Sequence, residues 1–173
     1  MCGFIGFTGI IDRREDVIRR MADRIIHRGP DSDGYHISGE NAGDSVTLGF
    51  RRLSIIDLSD GSQPMYNEDG SVVIVYNGEV YNFMQLRDEL IAKGHIFKTR
   101  CDTETLVHGY EEWGEKLASR LRGMFAFVIW DKKTQTLYGA RDPFGIKPFY
   151  YSVLSDGNYI FGSEIKSFIE HPG

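Results

Sequence analysis

The 173-residue sequence predicts an α+β fold with mostly antiparallel sheets. Three observations support this prediction. About eight short apolar segments have the character of β-strands, most of them are joined by hairpin-type turns, and three or four helical segments lie between groups of strands. The sequence has neither an internal repeat nor a low-complexity segment, so we expect residues 1–173 to form one domain.

The chain begins with Met-Cys-Gly-Phe-Ile-Gly-Phe-Thr-Gly, in which apolar and small residues alternate as in a strand. Because the Cys2 side chain is small, Met1 can be removed. The Cys2 thiol would then lie beside a free α-amino group, whose ordinary pKa of about 7.7–8.0 leaves part of it unprotonated at neutral pH. Such an amine can accept the thiol proton and activate the sulfur as a nucleophile. From the terminus alone, a frayed end without a role is an equally good interpretation.

Residues 13–28 are predicted as the first helix, because their apolar residues recur on one face of a 3.6-residue period. Asp12 with Glu15 is typical of a capping box, and Gly29-Pro30 ends the helix. The polar segment 27–34 is expected to be a loop. Strands are predicted at residues 46–50, 53–56 and 71–76, and the last of these is apolar enough to be buried on both faces.

In the second half, Asn77-Gly78 directly follows a buried strand, and this dipeptide favours a turn. A helix is predicted at residues 83–93 with Gly94 at its end, and another helix begins at Asp102 as a candidate N-cap. The segment between them, residues 95–99, is predicted as a short strand. Further predictions are a short helix at 115–121, strands at 124–130, 135–140, 149–153 and 159–162, and a last helix at 164–170.

Composition argues against several classes of partner. The net charge is −5 and there is no basic run, so nucleic acid is not expected. No apolar stretch approaches the roughly 18 residues that span a bilayer, and no signal peptide is recognisable. We therefore expect no membrane partner, a cytoplasmic location, and reduced thiols at Cys2 and Cys101. The five histidines show no metal-ligand spacing, so no metal site is predicted, and no phosphate-binding loop is present.

The sequence contains five short motifs in the order Met1-Cys2-Gly3-Phe4-Ile5-Gly6, His27-Arg28-Gly29-Pro30-Asp31, Arg52-Leu53-Ser54-Ile55, Asn77-Gly78-Glu79-Val80-Tyr81-Asn82 and Arg141-Asp142-Pro143-Phe144-Gly145. Together they resemble the motifs of class II glutamine amidotransferase domains. More narrowly, the Arg-Gly-Pro-Asp and Asn-Gly-Glu-Val-Tyr-Asn segments resemble the glutaminase domain of glutamine-hydrolysing asparagine synthetases. The resemblance implies the N-terminal-nucleophile hydrolase fold, an αββα sandwich of two mostly antiparallel sheets between helical layers.

The resemblance also implies a role for each matching residue. Cys2 would attack the side-chain amide carbon of L-glutamine and form a thioester, which water hydrolyses to glutamate. Asn77 and Gly78 would supply the oxyanion hole. Arg52 would hold the substrate carboxylate and Asp102 its ammonium group. The remaining contacts to glutamine would come from Leu53, Ile55 and Glu79.

A synthetase domain or subunit that accepts the ammonia is implied as a partner and is absent from this sequence. ATP and Mg²⁺ are implied only for that partner, so no cofactor is expected here. The chain is then either a shortened synthetase or a separate glutaminase subunit. Three functions stay open: a glutaminase that supplies ammonia for ATP-dependent asparagine synthesis from aspartate, the same glutaminase serving another carboxylate acceptor, and a non-catalytic glutamine-binding module. The sequence does not indicate an oligomeric state.

Some polar residues near the motifs are expected to have structural roles. Taken without the motif, Arg51 and Arg52 are both expected at the surface, and only the Arg-Leu-Ser-Ile context selects Arg52 as a substrate ligand. Cys101 is expected to be a half-buried spectator thiol. Ordering of loops, rather than chemistry, is expected of His27, Arg28, Arg141 and Asp142.

Overall fold

A computed structural model describes residues 2–39, 41, 45–53 and 61–173. In these ranges the chain forms two antiparallel sheets, accompanied by helices, so the predicted α+β class is confirmed. The chain divides into two compact units, residues 1–55 with 148–173 and residues 56–147. None of the helices in the described ranges is long and apolar enough to cross a membrane.

The described strands and α-helices follow one another in chain order. They are β1 Gly3–Thr8, α1 Arg14–Asp23, β2 Ser32–Ser38, β3 Val46–Arg52, β4 Met65–Tyr66, β5 Val72–Val80, α2 Phe83–Ala92, α3 Asp102–Trp113, α4 Leu117–Arg120, β6 Gly123–Asp131, β7 Thr136–Arg141, β8 Tyr150–Val153 and β9 Tyr159–Gly162. Short 3₁₀ helices cover Ile26–Arg28, Gly114–Lys116 and Ile165–Glu170.

The first unit is built on a five-stranded sheet in the order β2-β3-β1-β9-β8. Its central strand β1 pairs with β3 on one side and with β9 on the other, so the segment after Cys2 is held from both edges. Helix α1 covers this sheet with an apolar face. The buried core consists of Ile5, Phe7, Val17, Ile18, Met21, Ala22, Ile25 and Ile160.

The second unit is built on a four-stranded sheet in the order β4-β5-β6-β7. Strands β5 and β6 pair along their whole length, from Val72 opposite Asp131 to Val80 opposite Gly123. One apolar face of each of the helices α2 and α3 is buried in the same core as alternate residues of β5 and β6. Leu106, Val107 and Tyr110 of α3 are buried.

The first helix is shorter than predicted, and its predicted capping box is wrong. Helix α1 ends at Asp23, and the rest of the predicted span holds the 3₁₀ helix at residues 26–28. The N-cap position is occupied by Arg13, whose φ of 56° is left-handed, and no side chain caps the helix. Asp12 therefore precedes the N-cap position and does not have the predicted capping role.

The turn predicted at Asn77-Gly78 is also wrong. Strand β5 continues through both residues, with Asn77 opposite Ala126 and Gly78 opposite Phe125. The chain turns only after Val80, where Tyr81 N still donates to Arg122 O at 2.7 Å. The long ladder with β6 pairs the backbone groups of alternate residues on both sides of this dipeptide, so the pairing partner overrides the local preference of Asn-Gly.

The strand predicted at residues 95–99 is not formed. In its place the Glu104 carboxylate accepts hydrogen bonds from Lys98 N and Thr99 N, both at 2.7 Å, so a side chain replaces a neighbouring strand. The N-cap prediction is wrong by one residue, because Asp102 is the first residue of α3 and Cys101 is its N-cap. The last predicted helix is a 3₁₀ helix. The strand predicted at 53–56 falls almost entirely outside the described residues.

Strand β2 was missed by the sequence prediction, which placed part of it in a loop. Its residues are mostly polar, since it lies at the edge of the sheet and, among the described strands, pairs with β3 alone. A half-exposed edge strand has no need of the apolar pattern that identifies a buried strand. The two-residue strand β4 was not predicted either. The other strands and helices lie within a few residues of their predicted positions.

Candidate active site

Cys2 is anchored in the structure. Its Sγ atom lies 3.5 Å from Leu53 N and 3.8 Å from Leu53 O, and the thiol is free and partly buried. Its carbonyl oxygen accepts a hydrogen bond of 3.0 Å from Arg28 Nε. Strand β1 begins at the next residue, so Cys2 directly precedes a strand that is paired on both edges. A frayed terminus does not describe this geometry.

Arg28 is itself held by Glu164. Arg28 Nη1 lies 3.0 Å from Glu164 Oε1, and the same carboxylate group lies 2.9 Å from His27 Nε2 and 3.1 Å from Lys166 Nζ. Burial opposes ionisation of Glu164, but the hydrogen bonds from Arg28, Lys166 and His27 outweigh it and lower its pKa to about 2. The carboxylate therefore stays charged at neutral pH, which agrees with an ordering role for His27 and Arg28.

The two neighbouring arginines at the end of β3 have different surroundings. Arg51 is buried, forms an ion pair with Asp23 and donates to Ala22 O at 3.3 Å, so the expected surface position of Arg51 is wrong. Successive side chains of a strand point to opposite faces, and Arg52 therefore points away from α1. Arg52 is half-buried and directly precedes Leu53, the residue in contact with the Cys2 thiol.

Gly29 allows the segment that follows Arg28 to lie against the end of β3. A Cβ atom at Gly29 would come within 3.0 Å of the backbone of Arg51 and Arg52, so only glycine allows this approach. The contact is continued by Asp31 N, which donates to Arg52 O at 3.1 Å. The Arg28-Gly29 segment is thus fixed to the strand that carries Arg52.

In the second unit, Asn77 offers a buried and unused hydrogen-bond donor. The residue is only 3% exposed, and its Nδ2 atom has no hydrogen-bond partner among the described residues. Leaving such a donor unpaired costs on the order of 1–3 kcal/mol. A buried amide of this kind is suited to a ligand atom that accepts a hydrogen bond.

Gly78 follows with its backbone amide directed away from β6. The amide groups of Tyr76 and Val80 donate to Gln63 Oε1 and Asp102 Oδ2, at 2.6 and 3.0 Å, rather than to β6. Gly78 lies between them in the same phase of the antiparallel ladder, so its N–H points to the same edge. A side chain at Gly78 would come within 3.0 Å of Met124 O, so the position requires glycine.

The structure brings Asp102 to the end of β5. Its Oδ2 accepts hydrogen bonds from Tyr76 Oη at 2.6 Å and from Val80 N at 3.0 Å. Burial raises the pKa of Asp102, although these hydrogen bonds oppose the shift. Glu79 lies on the exposed part of the strand. The sequence prediction missed Tyr76, whose signal was an aromatic hydroxyl in a buried strand, where a partner is required.

The other predicted residues are placed as follows. Ile55 lies outside the described residues. Cys101 is partly buried, with its Sγ 3.0 Å from Thr99 Oγ1, in agreement with a spectator thiol. Asp142 is buried and its carboxylate accepts from the amides of the loop that follows it, which confirms its structural role. Arg141 supports the same loop through hydrogen bonds to the carbonyl oxygens of Gly145 and Lys147, both at 2.6 Å.

Each unit therefore holds its own set of reactive and polar groups. The first unit holds the Cys2 thiol, the Leu53 backbone that contacts it, and the half-buried Arg52, which directly precedes Leu53. The second holds a buried amide donor, a backbone amide and a desolvated carboxylate near the end of one strand. A nucleophile, donors for an oxyanion and charges for a zwitterionic substrate are the parts that amide cleavage requires.

Comparison with known proteins identifies the family. Residues 1–173 match the model of the glutamine amidotransferase domain. The chain is 51% identical over 172 residues to asparagine synthetase [glutamine-hydrolyzing] 1 of Bacillus subtilis (strain 168), covering 96% of this chain and 26% of the relative. It is 41% identical over 171 residues to asparagine synthetase [glutamine-hydrolyzing] 2 of Oryza sativa subsp. japonica, covering 96% and 28%. The chain thus spans about a quarter of the length of these curated relatives.

A solved structure shows the same fold. Glutamine phosphoribosylpyrophosphate amidotransferase from B. subtilis superposes with a TM-score of 0.78 at 21% identity, over 97% of this chain and 43% of that chain. This similarity confirms the predicted N-terminal-nucleophile hydrolase fold. The match of the family model to residues 1–173 and the identity to the curated relatives show that the chain belongs to the glutamine amidotransferase domain family.

Proposed function

We propose that the chain hydrolyses L-glutamine to L-glutamate and ammonia with Cys2 as the nucleophile. After removal of Met1, the α-amine takes the thiol proton, and Sγ bonds to the side-chain amide carbon of glutamine. The C–N bond then breaks, and ammonia leaves with the proton carried by the amine. Water adds to the resulting thioester, releases glutamate and restores the thiol.

The observation that carries this proposal is the buried Nδ2 of Asn77, which lacks a hydrogen-bond partner within the described ranges. A donor held in a desolvated position is costly unless a ligand uses it, and an oxyanion is the strongest acceptor available. Gly78 N–H follows directly in sequence and points off the sheet. We assign these two groups as the oxyanion hole.

The charged residues fit the two ends of an amino acid. Arg52 binds the α-carboxylate of glutamine, because a guanidinium can make two parallel hydrogen bonds to a carboxylate. Asp102 binds the α-ammonium group, and its partly buried position strengthens that attraction. The remaining contacts are assigned to Leu53, Ile55 and Glu79.

The ammonia has an acceptor outside this domain. The relatives named above are asparagine synthetases, which supports ATP-dependent asparagine synthesis from aspartate as the destination, through a synthetase domain or subunit. We propose that the domain acts in the cytoplasm and needs no cofactor for hydrolysis, with ATP and Mg²⁺ used only by that partner. The alternative is the same glutaminase serving another carboxylate acceptor.

The direct test is to follow glutamate and ammonia release from L-glutamine by the 173-residue chain, with hydroxylamine added in a second series. Equal amounts of the two products are expected. Hydroxylamine should divert the thioester to γ-glutamyl hydroxamate at the expense of glutamate. Folded protein with a free N-terminal cysteine that releases neither product would contradict the proposal and favour a non-catalytic glutamine-binding module.

A further inference from the structure

A second cluster of ionisable side chains lies in the second unit and has no part in the proposed hydrolysis. We call His95, His108 and Glu111 the histidine cluster. His95 belongs to the connector between α2 and α3, whereas His108 and Glu111 lie one turn apart on α3. One potential ligand atom from each residue falls within 4.8 Å of the other two.

The atoms of the histidine cluster are spaced much as metal ligands are. Glu111 Oε2 lies 2.9 Å from His108 Nδ1 and 3.8 Å from His95 Nδ1. Zinc ligands in a tetrahedral site lie about 2.0–2.2 Å from the metal, so they are roughly 3.3–3.6 Å from one another. Small side-chain movements would therefore bring these three atoms to bonding distance of one ion.

The second ring nitrogen of His108, Nε2, gives an independent indication of a metal site. His108 is 2% exposed, and its Nε2 atom lacks a hydrogen-bond partner in the part of the chain that the structure describes. This atom lies 3.8 Å from Glu68 Oε1 and 3.8 Å from Glu104 Oε1. A metal-bound histidine commonly directs its second ring nitrogen to a carboxylate, which fixes the tautomer and strengthens the ligand.

The surroundings of the histidine cluster favour a cation. Four carboxylates surround the two imidazoles, because Glu112 Oε2 also lies 3.6 Å from His95 Nε2. Lys93 Nζ pairs with Glu112 at 2.6 Å and supplies one positive charge. A divalent ion would neutralise the excess of negative charge better than a proton.

We propose that His95, His108 and Glu111 bind one divalent transition-metal ion of the zinc class, with water completing the coordination. Two imidazole nitrogens and one carboxylate are ligands that Zn²⁺ accepts and that Mg²⁺ does not prefer. Sequence spacing conceals the site, because its histidines lie on different elements. The ion joins the connector of residues 93–101 to α3 and so stabilises the irregular segment that precedes Asp102.

Binding is measured on the full chain after removal of metals, by calorimetry with Zn²⁺ and by visible absorption with Co²⁺. One ion per chain is expected, together with the d–d bands of Co²⁺ bound to nitrogen and oxygen. His95→Asn and Glu111→Gln should each weaken Zn²⁺ affinity by at least about 100-fold, because each removes a ligand. Mg²⁺ in excess should not displace the ion.

Matched controls separate this site from other metal-binding groups. His27→Asn and Glu89→Gln replace a histidine and a glutamate elsewhere and should leave the affinity unchanged. Cys2→Ser should also bind normally, since a terminal thiol with its amine can itself chelate zinc. Circular dichroism confirms that each variant is folded. The proposal is overturned if folded wild-type protein binds no Zn²⁺, if His95→Asn and Glu111→Gln bind as tightly as the wild type, or if Cys2→Ser abolishes binding.

Discussion

Cys2 combines two properties that a terminal residue rarely has. Its thiol is held against the Leu53 backbone, and its carbonyl oxygen is fixed by Arg28, which Glu164 in turn holds. Ordering a chain end has an entropic cost, of about 1–2 kcal/mol for each residue backbone. These contacts offset that cost before a substrate arrives. In the proposed hydrolysis, the thiol would therefore not first have to find its position.

Replacing the two cysteines distinguishes nucleophile from spectator. Cys2→Ser should lower the glutaminase rate by at least about 10³-fold, because a hydroxyl is much harder to deprotonate than a thiol. Cys101→Ser should retain most of the activity. Steady-state ammonia release measures both variants, and intact mass should show that Met1 is absent from active protein. Similar losses in the two variants would mean that the nucleophile is misassigned.

Arg52 and Asn77 should differ in their kinetic effects. Arg52→Ala should mainly raise KM for glutamine, since it removes a charge-assisted contact made in both the ground state and the transition state. Asn77→Ala should mainly lower kcat, by about 10²–10³-fold, because the oxyanion exists only during reaction.

Arg51→Ala is the matched control for Arg52→Ala, because it removes an arginine from the neighbouring position. Arg51 is buried in its ion pair with Asp23, so its loss should lower the unfolding midpoint rather than change KM selectively. Initial rates over a range of glutamine concentrations, with urea unfolding of each variant, give all three results. A selective kcat loss in Arg52→Ala would show that the roles are exchanged.

At the scale of elements, the loop of residues 141–148 shows how one side chain organises a segment without regular structure. Asp142 is buried, and its carboxylate accepts from the amides of Phe144, Ile146 and Lys147 at 3.2, 3.0 and 3.0 Å, and from Phe125 N at 3.3 Å. Removing this acceptor would leave four backbone donors unsatisfied at once.

Asp142→Asn should therefore destabilise the protein by about 2–4 kcal/mol, because the amide keeps the shape but loses the charge and part of the accepting capacity. Urea unfolding at neutral pH measures this loss. Asp156→Asn, in the exposed turn at residues 155–158, is the matched control and should cost much less. Equal losses in the two variants would contradict an organising role for Asp142.

The contribution of Asp142 should depend on pH. Burial raises the pKa of this carboxyl group, but the hydrogen bonds from Lys147, Ile146, Phe125 and Phe144 outweigh burial, so the net shift is downward. A folded pKa below the ordinary value of about 3.9 means that the stabilisation is complete above that value and is lost as pH falls through the folded pKa. The difference in unfolding free energy between wild type and Asp142→Asn should be constant from about pH 6 to 8 and shrink below about pH 4. An unchanged difference at pH 3 would contradict this assignment.

At the scale of the whole molecule, the proposed residues come from both compact units. Cys2, Arg52 and Leu53 belong to one unit, and Asn77 and Asp102 to the other. None of these residues belongs to a phosphate-binding sequence motif, and the sequence contains no such motif elsewhere. The reaction proposed here therefore involves glutamine and no nucleotide.

The 173-residue chain should accordingly bind glutamine without binding ATP. Its rate of glutamine hydrolysis should be the same with or without ATP–Mg²⁺ and aspartate. Calorimetry with ATP–Mg²⁺ is the direct measurement, with Mg²⁺ alone as the reference titration. Saturable heat at micromolar ATP would reveal a nucleotide site and contradict this prediction.

Much of the fold follows from local sequence patterns. The α+β class, helix α2, helix α3 and the paired strands β6 and β7 follow from apolar periodicity and turn residues within short windows. The five motifs predict the family, and the comparisons with known proteins confirm it. The roles assigned to Cys2, Asn77, Gly78, Arg52 and Asp102 stay predictions, and Ile55 lies outside the described residues.

What only the tertiary structure decided depends on partners distant in sequence. Strand β5 continues through Asn77-Gly78 because β6 pairs with it, although the dipeptide by itself favours a turn. Arg51 is buried because α1 brings Asp23 to it. His95 and His108 meet because the connector folds back along α3. Periodicity indicates which face of an element is apolar. The buried Asn77 amide, which has no partner within the described ranges, and the histidine cluster exist only once separate elements have packed.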